Sequence, residues 1–235
     1  MTKKWVEEVV QSLKGLVDEE RREWAKGYYP SQEQVLGVKT PDIKLVTKAL
    51  YQEVKGTPPA DQLALAYALL DTQIFECRQV AYELISRQPS VLKALDRTAL
   101  LRLGKGVDNW VSVDTFGGLL LGVAWREGQV KDDFIQHLID SEDRWLRRLA
   151  LVTTVAWNQK ARGGKGNAEK TLWVCKQLIS DRDDMVVKAL SWALRELAKR
   201  DHGSVATFLN QHEAELAPRV RREVRTKLET GRKNG

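Results

Sequence analysis

Residues 141–158 read SEDRWLRRLALVTTVAWN, and this stretch decides the fold class. Leu146, Leu149, Ala150, Val152, Thr153 and Ala156 recur at the intervals that place side chains on one face of an α-helix. Ser141, just ahead of the run, is a candidate N-cap. The same spacing returns upstream. Trp5, Val6, Val9, Val10, Leu13, Leu16 and Val17 form one stripe, and Ile74, Phe75, Cys77, Val80, Ala81, Leu84 and Ile85 form another. No segment alternates apolar and polar residues between turn pairs, so no sheet is expected.

Pro30, Pro41, Pro58, Pro59, Pro89 and Pro218 are the only prolines, which leaves residues 90–217 free of the residue least tolerated inside helices. Thr40-Pro41 reads as an N-cap followed by proline at the first helical position. Ser90 and the Asp181–Asp184 cluster are further caps, and Gly104, Gly128 and Gly203 are candidate breaks. The expected count is about twelve helices of roughly 8–20 residues joined by short loops. Many short helices without heptads indicate stacked antiparallel pairs, an all-α solenoid with degenerate repeats of about 40 residues. A globin-like bundle is the alternative, and no histidine is placed to hold a cofactor in it.

The chain has 235 residues, 43% of them apolar and 30% charged with both signs mixed. Such a balance excludes a disordered chain. No stretch reaches the ~20 apolar residues of a membrane helix. The N-terminus, MTKKWVEEVVQSLKGLVDEE, carries acids where a signal peptide needs an apolar run, so a cytoplasmic protein is expected. Cys77 and Cys175 stand alone within apolar patterns, which fits a reducing compartment. Three scattered histidines with no CxxC or HExxH exclude a zinc enzyme.

The net charge of +6 is unevenly spread. Residues 217–235 hold seven basic and two acidic groups, residues 147–170 hold six and one, and the rest of the chain is net acidic. Two basic segments on an otherwise acidic chain point to a polyanion-binding face, set against an ordinary solvated surface. The one long loop expected is Asn158–Asn167, NQKARGGKGN. It lacks a GK[ST] ending and follows a helix rather than a strand, so nucleotide hydrolysis is not expected there. It reads as a flexible basic finger for phosphates, with Lys160, Arg162 and Lys165, or as a plain connection.

Eight tryptophans are many for this length. Trp5, Trp24, Trp125, Trp145, Trp157 and Trp173 lie among apolar neighbours and read as packing residues. Trp110 and Trp192 differ in their company. Trp110 stands in VDNWVSVD, residues 107–114, where Asp108 is placed to cap a helix. Asp114 then shares the face of Trp110 one turn later, with no capping duty. Its ordinary alternative is a salt bridge to a neighbouring helix. Lys188, Trp192 and Arg195 share one side of another helix, and Arg147 and Arg148 leave the stripe of Trp145, Leu149 and Val152.

VDNWVSVD, SEDRWLRRLALV and VVKALSWALRELAKRD, in that order, resemble the AlkC/AlkD-type DNA alkylation-repair family in its AlkD branch. The resemblance spans about residues 20–210 and implies a HEAT-like helical solenoid with a concave DNA-binding face. It implies a single domain over residues 1–235, with a basic C-terminal helix at 217–235 beyond the family motifs. The family's WxxxD pair falls on Trp110 and Asp114, with Asp114 as the catalytic carboxylate. Its WxxR element falls on Arg148, a phosphate contact at the lesion, with Arg147 beside it, and its GWALRE-like element falls on Trp192. Tyr28 takes the place of an N-terminal tyrosine upstream of Leu36-Gly37-Val38-Lys39-Thr40-Pro41. The segment around it, GYYPSQEQVLGV, lacks the basic and aromatic residues found there in active members.

The activity so implied is removal of cationic alkylated purines from double-stranded DNA by a monomer without metal or organic cofactor. The setting implied is a bacterial-type cytoplasm, at the nucleoid when DNA is bound. The sequence offers no clear pocket for an extruded base. Two alternatives remain: a non-catalytic HEAT-like protein that binds damaged or branched DNA, and a protein-binding helical scaffold.

Overall fold

The structure is a computed structural model that describes residues 1–233. Among the described residues it is all-α, with fifteen α-helices, no strand, and one isolated parallel bridge between Gln34 and Ile74. The chain divides into two compact units, residues 1–120 and 121–235. The first holds α1 (Thr2–Lys14), α2 (Glu19–Tyr28), α3 (Thr40–Val54), α4 (Pro59–Leu70), α5 (Phe75–Ser86), α6 (Pro89–Lys93), α7 (Arg97–Gly104) and α8 (Trp110–Phe116). The second holds α9 (Gly122–Arg126), α10 (Asp132–Ile139), α11 (Arg144–Asn158), α12 (Ala168–Gln177), α13 (Asp184–Ala198), α14 (His202–Gln211) and α15 (Pro218–Thr230). A five-residue π-helical stretch, Gly117–Leu121, follows α8, and a 3-10 turn covers Lys160–Arg162. The count exceeds the dozen expected because α6 and α9 are single turns, too short to show a period.

The stripes read from sequence become the core. Val9 and Leu13 of α1 are buried, as are all seven residues of the stripe from Ile74 to Ile85. Leu149, Ala150, Val152 and Ala156 of α11 are closed off as well. In the second unit α9, α11, α13 and α15 pack in succession, while α10 and α12 lie against α11, and α12 and α14 against α13. Contact between alternate helices is the layering of an α-solenoid. In the first unit α1, α3, α5 and α8 make the equivalent row. Both cysteines are buried and free, and burial pushes the Cys77 thiol up to about 11 and the Cys175 thiol higher. Among the described residues no helix is long and apolar enough to cross a membrane.

Several caps differ from expectation by a residue or two. Asn109, not Asp108, caps α8, its side chain accepting from the Ser112 amide at 3.0 Å. Asp143 caps α11, while Ser141 accepts from the Asp143 amide one step earlier. Gln88 precedes α6, so Ser90 caps nothing, and Gly203 lies inside α14, which Asp201 caps. Asp183, from the predicted cluster, does cap α13. Asn109, Asp143, Asp183 and Asp201 are each the residue whose short side-chain oxygen reaches the second or third free amide of its helix, whereas Gln88 makes no such bond.

Buried charge fixes the loop between α2 and α3. Arg78 on α5 donates to Glu33 from Nε and Nη2, at 2.8 and 2.6 Å, and to the Tyr82 hydroxyl from Nη1 at 2.9 Å. Glu76, two residues earlier, accepts the amides of Leu36, Gly37 and Val38 at 3.0, 2.8 and 3.2 Å. Burial raises the Glu76 carboxyl above the ordinary glutamate range, against the pull of those three amides. Gly37 sits at φ +87°, and a Cβ there would lie 2.5 Å from the Asp18 carbonyl oxygen, so only glycine fits.

Candidate nucleic-acid site

In the first unit the sequence candidates Tyr28 and Trp110 come together. Tyr28 ends α2 and Trp110 opens α8. The Trp110 indole N–H donates to the Tyr28 carbonyl at 3.0 Å, and the two rings meet edge to face at 5.3 Å. Asp108, released from capping, accepts from the Ser31 hydroxyl at 2.8 Å and from the Gln32 amide, pinning the start of the loop to the start of α8. Asp114 follows one turn after Trp110 and is half-buried.

Around this pair lies a cleft of about 190 Å³ among α2, α3, α5 and α8. Trp24 stacks on Tyr28 with ring centres 4.3 Å apart, and Tyr29 stacks on Phe75 at 5.0 Å. Arg21 and Lys44 supply positive charge and Glu83 the one carboxylate. Val111 and Thr115 of α8 line the cleft, whereas Asp114 is outside its lining. The sequence reading missed this arrangement. Trp24, read as core, is 49% exposed, and Tyr28 is 51% exposed. The signal was there: Trp24 and Tyr28 are four residues apart on a helix whose other side chains are mostly charged.

The second unit holds the remaining candidates, and it does not gather them. Arg147 donates from Nε to Asp181 at 2.7 Å and from Nη1 to the carbonyls of Ser141 and Glu142. Arg148 is 5% exposed, with Nη1 on the Met185 carbonyl at 2.6 Å, so it joins α11 to the start of α13 instead of leaving the apolar stripe. Trp192 is half-buried on α13. Of its expected basic company, Lys188 pairs with Asp184 at 2.6 Å. Arg195 turns to Ser191 and Glu223, and burial lowers its proton affinity while Glu223 sustains it.

The basic loop after α11 is anchored. Arg126 of α9 donates from Nη1 to the carbonyls of Ala156 and Arg162 at 2.8 and 2.7 Å. Arg200 reaches the Asn158 and Gly164 carbonyls at 2.8 and 3.2 Å. The buried Asn158 side chain accepts from the Asn167 amide and donates to Thr171, closing the base of the loop. The expected flexible finger is therefore a clamped turn that presents Lys160 and Lys165 to solvent, with Arg162 half-buried. The basic C-terminal segment is a helix to Thr230, and Asn234 and Gly235 of the expected range lie outside the described residues. Val220 and Val224 bury its inner face, Arg219 meets Asp184 at 2.8 Å, and Arg222 and Arg225 stay exposed.

A solved structure described as a predicted DNA alkylation repair enzyme from Enterococcus faecalis has a similar fold, with a TM-score of 0.69 and 19% identity. The match covers 91% of this chain and 97% of that one. No curated protein matches the sequence. The family model for DNA alkylation repair enzymes matches residues 9–228, across both units. With the resemblance first carried by three motifs now extending over nearly the whole sequence, the chain belongs to the DNA alkylation repair enzyme family.

Proposed function

We propose that the protein is a DNA glycosylase that releases cationic alkylated purines, 3-alkyladenine and 7-alkylguanine, from duplex DNA in base excision repair. Residues 1–235 act in this reading as one family domain and as a monomer. The observation that carries it is the Trp110–Asp114 pair on α8, its tryptophan fixed by the Tyr28 carbonyl, in a chain of this family.

Alkylation at N3 of adenine or N7 of guanine makes the base cationic and a good leaving group. The base departs with the electrons of the glycosidic bond and becomes neutral, leaving an oxocarbenium-like sugar, the charge type that carboxylates stabilise in glycoside hydrolysis. Asp114 stabilises that cation and orients water, which gives its hydroxyl to C1′ and its proton to the carboxylate. The ring face of Trp110 attracts the cationic nucleotide, and Trp192 in the second unit is a further cation–π contact for the DNA substrate, at about 0.5–2 kcal/mol per contact. Tyr28 supports Trp110. Arg148 meets a phosphate as a guanidinium already braced by the Met185 carbonyl, with Arg147, Lys160, Arg162 and Lys165 adding positive potential along the backbone. The lesion supplies its own leaving-group activation, so no cofactor is called for.

Asp114→Asn should lower release of methylated purine from alkylated duplex DNA by at least about a hundredfold while DNA affinity stays near that of the parent. Release at the parent rate would overturn the assignment. A second reading, a non-catalytic protein for damaged or branched DNA, draws on the engagement of Arg147 by Asp181 and Arg148 by Met185. Tight binding to branched DNA with no release of methylated base from any duplex would select it.

A further inference from the structure

The sequence gives no pocket for a base, and the first unit has one. The cleft of about 190 Å³ has room for about six waters, or for one flat heterocycle. Its lining is one aromatic cluster: Trp24 stacks on Tyr28 and Tyr29 on Phe75, Trp24 meets Tyr29 nearly perpendicular at 6.0 Å, and Trp110 stands nearly perpendicular to both tyrosines. Trp24 and Tyr28, each about half open to water and stacked on one another, form a contiguous aromatic patch on an otherwise charged helix, and contiguous apolar patches mark interaction sites. A second observation gives the occupant a polar requirement. Arg21 lines the cleft with its Nε–H buried and without an acceptor, while its guanidinium carbon sits 5.5 Å from the Trp24 ring centre. A buried donor left unsatisfied is unfavourable, and a ligand that brings an acceptor relieves it. Lys44, exposed on α3 and also lining the cleft, adds a cation in reach of solvent.

We propose that this cleft holds one unpaired nucleobase of a DNA strand, stacked against Trp24 and accepting the Arg21 Nε–H through a ring nitrogen or carbonyl oxygen, with Lys44 on the strand's adjoining phosphate. Flat ring, acceptor on its edge and anion beside it are together the chemistry of a nucleotide within a strand. Stacking of this kind tolerates any base, because every base has a π-face. The choice of DNA rests on the repair reading; the cleft itself does not depend on Asp114 chemistry.

The test uses the full chain and a short single strand carrying one 2-aminopurine and no alkyl lesion, excited beyond the tryptophan band. Titration at low salt should quench the 2-aminopurine saturably. Trp24→Ala and Arg21→Met should each weaken that binding about tenfold, and Trp24→Phe should keep most of it. Circular dichroism of each variant checks that the helices remain. The proposal falls if the parent gives no saturable quenching, if Trp24→Ala binds as the parent does, or if a strand with an abasic site at that position binds equally well. It also falls if the free 2-aminopurine nucleoside binds as tightly as the strand, since the cleft would then serve a small molecule. Excision from alkylated duplex DNA is measured separately. Quenching without excision breaks only the glycosylase reading, and excision without quenching breaks only this one.

Discussion

Each unit holds an irregular loop in place with arginine, and the two do so at different depths. In the first, Glu33 and Arg78 are both under 5% exposed at their side chains, and Glu76 takes three loop amides from below. The charges are consumed inside, and the surface above them is aromatic. In the second, Arg126 and Arg200 reach loop carbonyls from the side while part-exposed, and the loop keeps Lys160 and Lys165 for solvent. Arg147 and Arg148, which look from sequence like the most available cations, are engaged by Asp181 and by a carbonyl. What a segment offers a partner is thus set by which of its groups the fold has already satisfied, and charge content alone does not report it.

Four variants break or sharpen that contrast. The largest effect belongs to Arg78→Met, which leaves the Glu33 carboxylate buried and unpaired and should cost about 3–5 kcal/mol in denaturant unfolding. Glu76→Gln comes next, at about 1–3 kcal/mol, because the new amide group sets a donor against one of the loop N–H groups. It also carries a pH signature. The folded Glu76 value lies above its ordinary 4.5, so the folded state binds this proton more tightly than the unfolded state does. Its contribution is present at low pH and is lost as pH rises from 4.5 through the raised value. Unfolding midpoints followed across that window should slope downward in the parent, and the slope should flatten in the variant.

Arg126→Met should cost less, about 1–2 kcal/mol, because its hydrogen bonds are part-buried and join a charge to neutral carbonyls, and hydrogen exchange at Gly163 and Gly164 should quicken. Neutralising Lys160 and Lys165 to glutamine should change stability by under ~0.5 kcal/mol. It should still lower the slope of DNA affinity against salt by about one per lysine. If Arg126→Met lowered that slope as much as the lysine changes do, the division between clamping arginines and presented lysines would fail.

How far the sequence reveals this molecule depends on which physical question is asked. Helical stripes such as Ile74 to Ile85 are visible because burial of one helix face imposes a period, and all seven residues of that stripe are buried. The Trp110–Asp114 spacing is legible for the same reason. Arg148 is not, because its fate depends on a carbonyl of Met185, on a helix 37 residues away in the chain. Nor is the choice of Asn109 over Asp108 as cap, a one-residue shift that frees Asp108 to hold Ser31. Trp24 is hard to place from sequence because tryptophan is on average a buried residue, although its charged helix points the other way.

The two thiols have a consequence of their own. DNA is alkylated by electrophiles that attack thiolates just as readily, so a repair protein works among reagents able to inactivate it. Cys77 and Cys175, the only cysteines in the chain, are both 0% exposed, and burial holds each proton far above neutral pH. Neither presents a nucleophile to solution. The fold therefore keeps both thiols out of reach of such electrophiles.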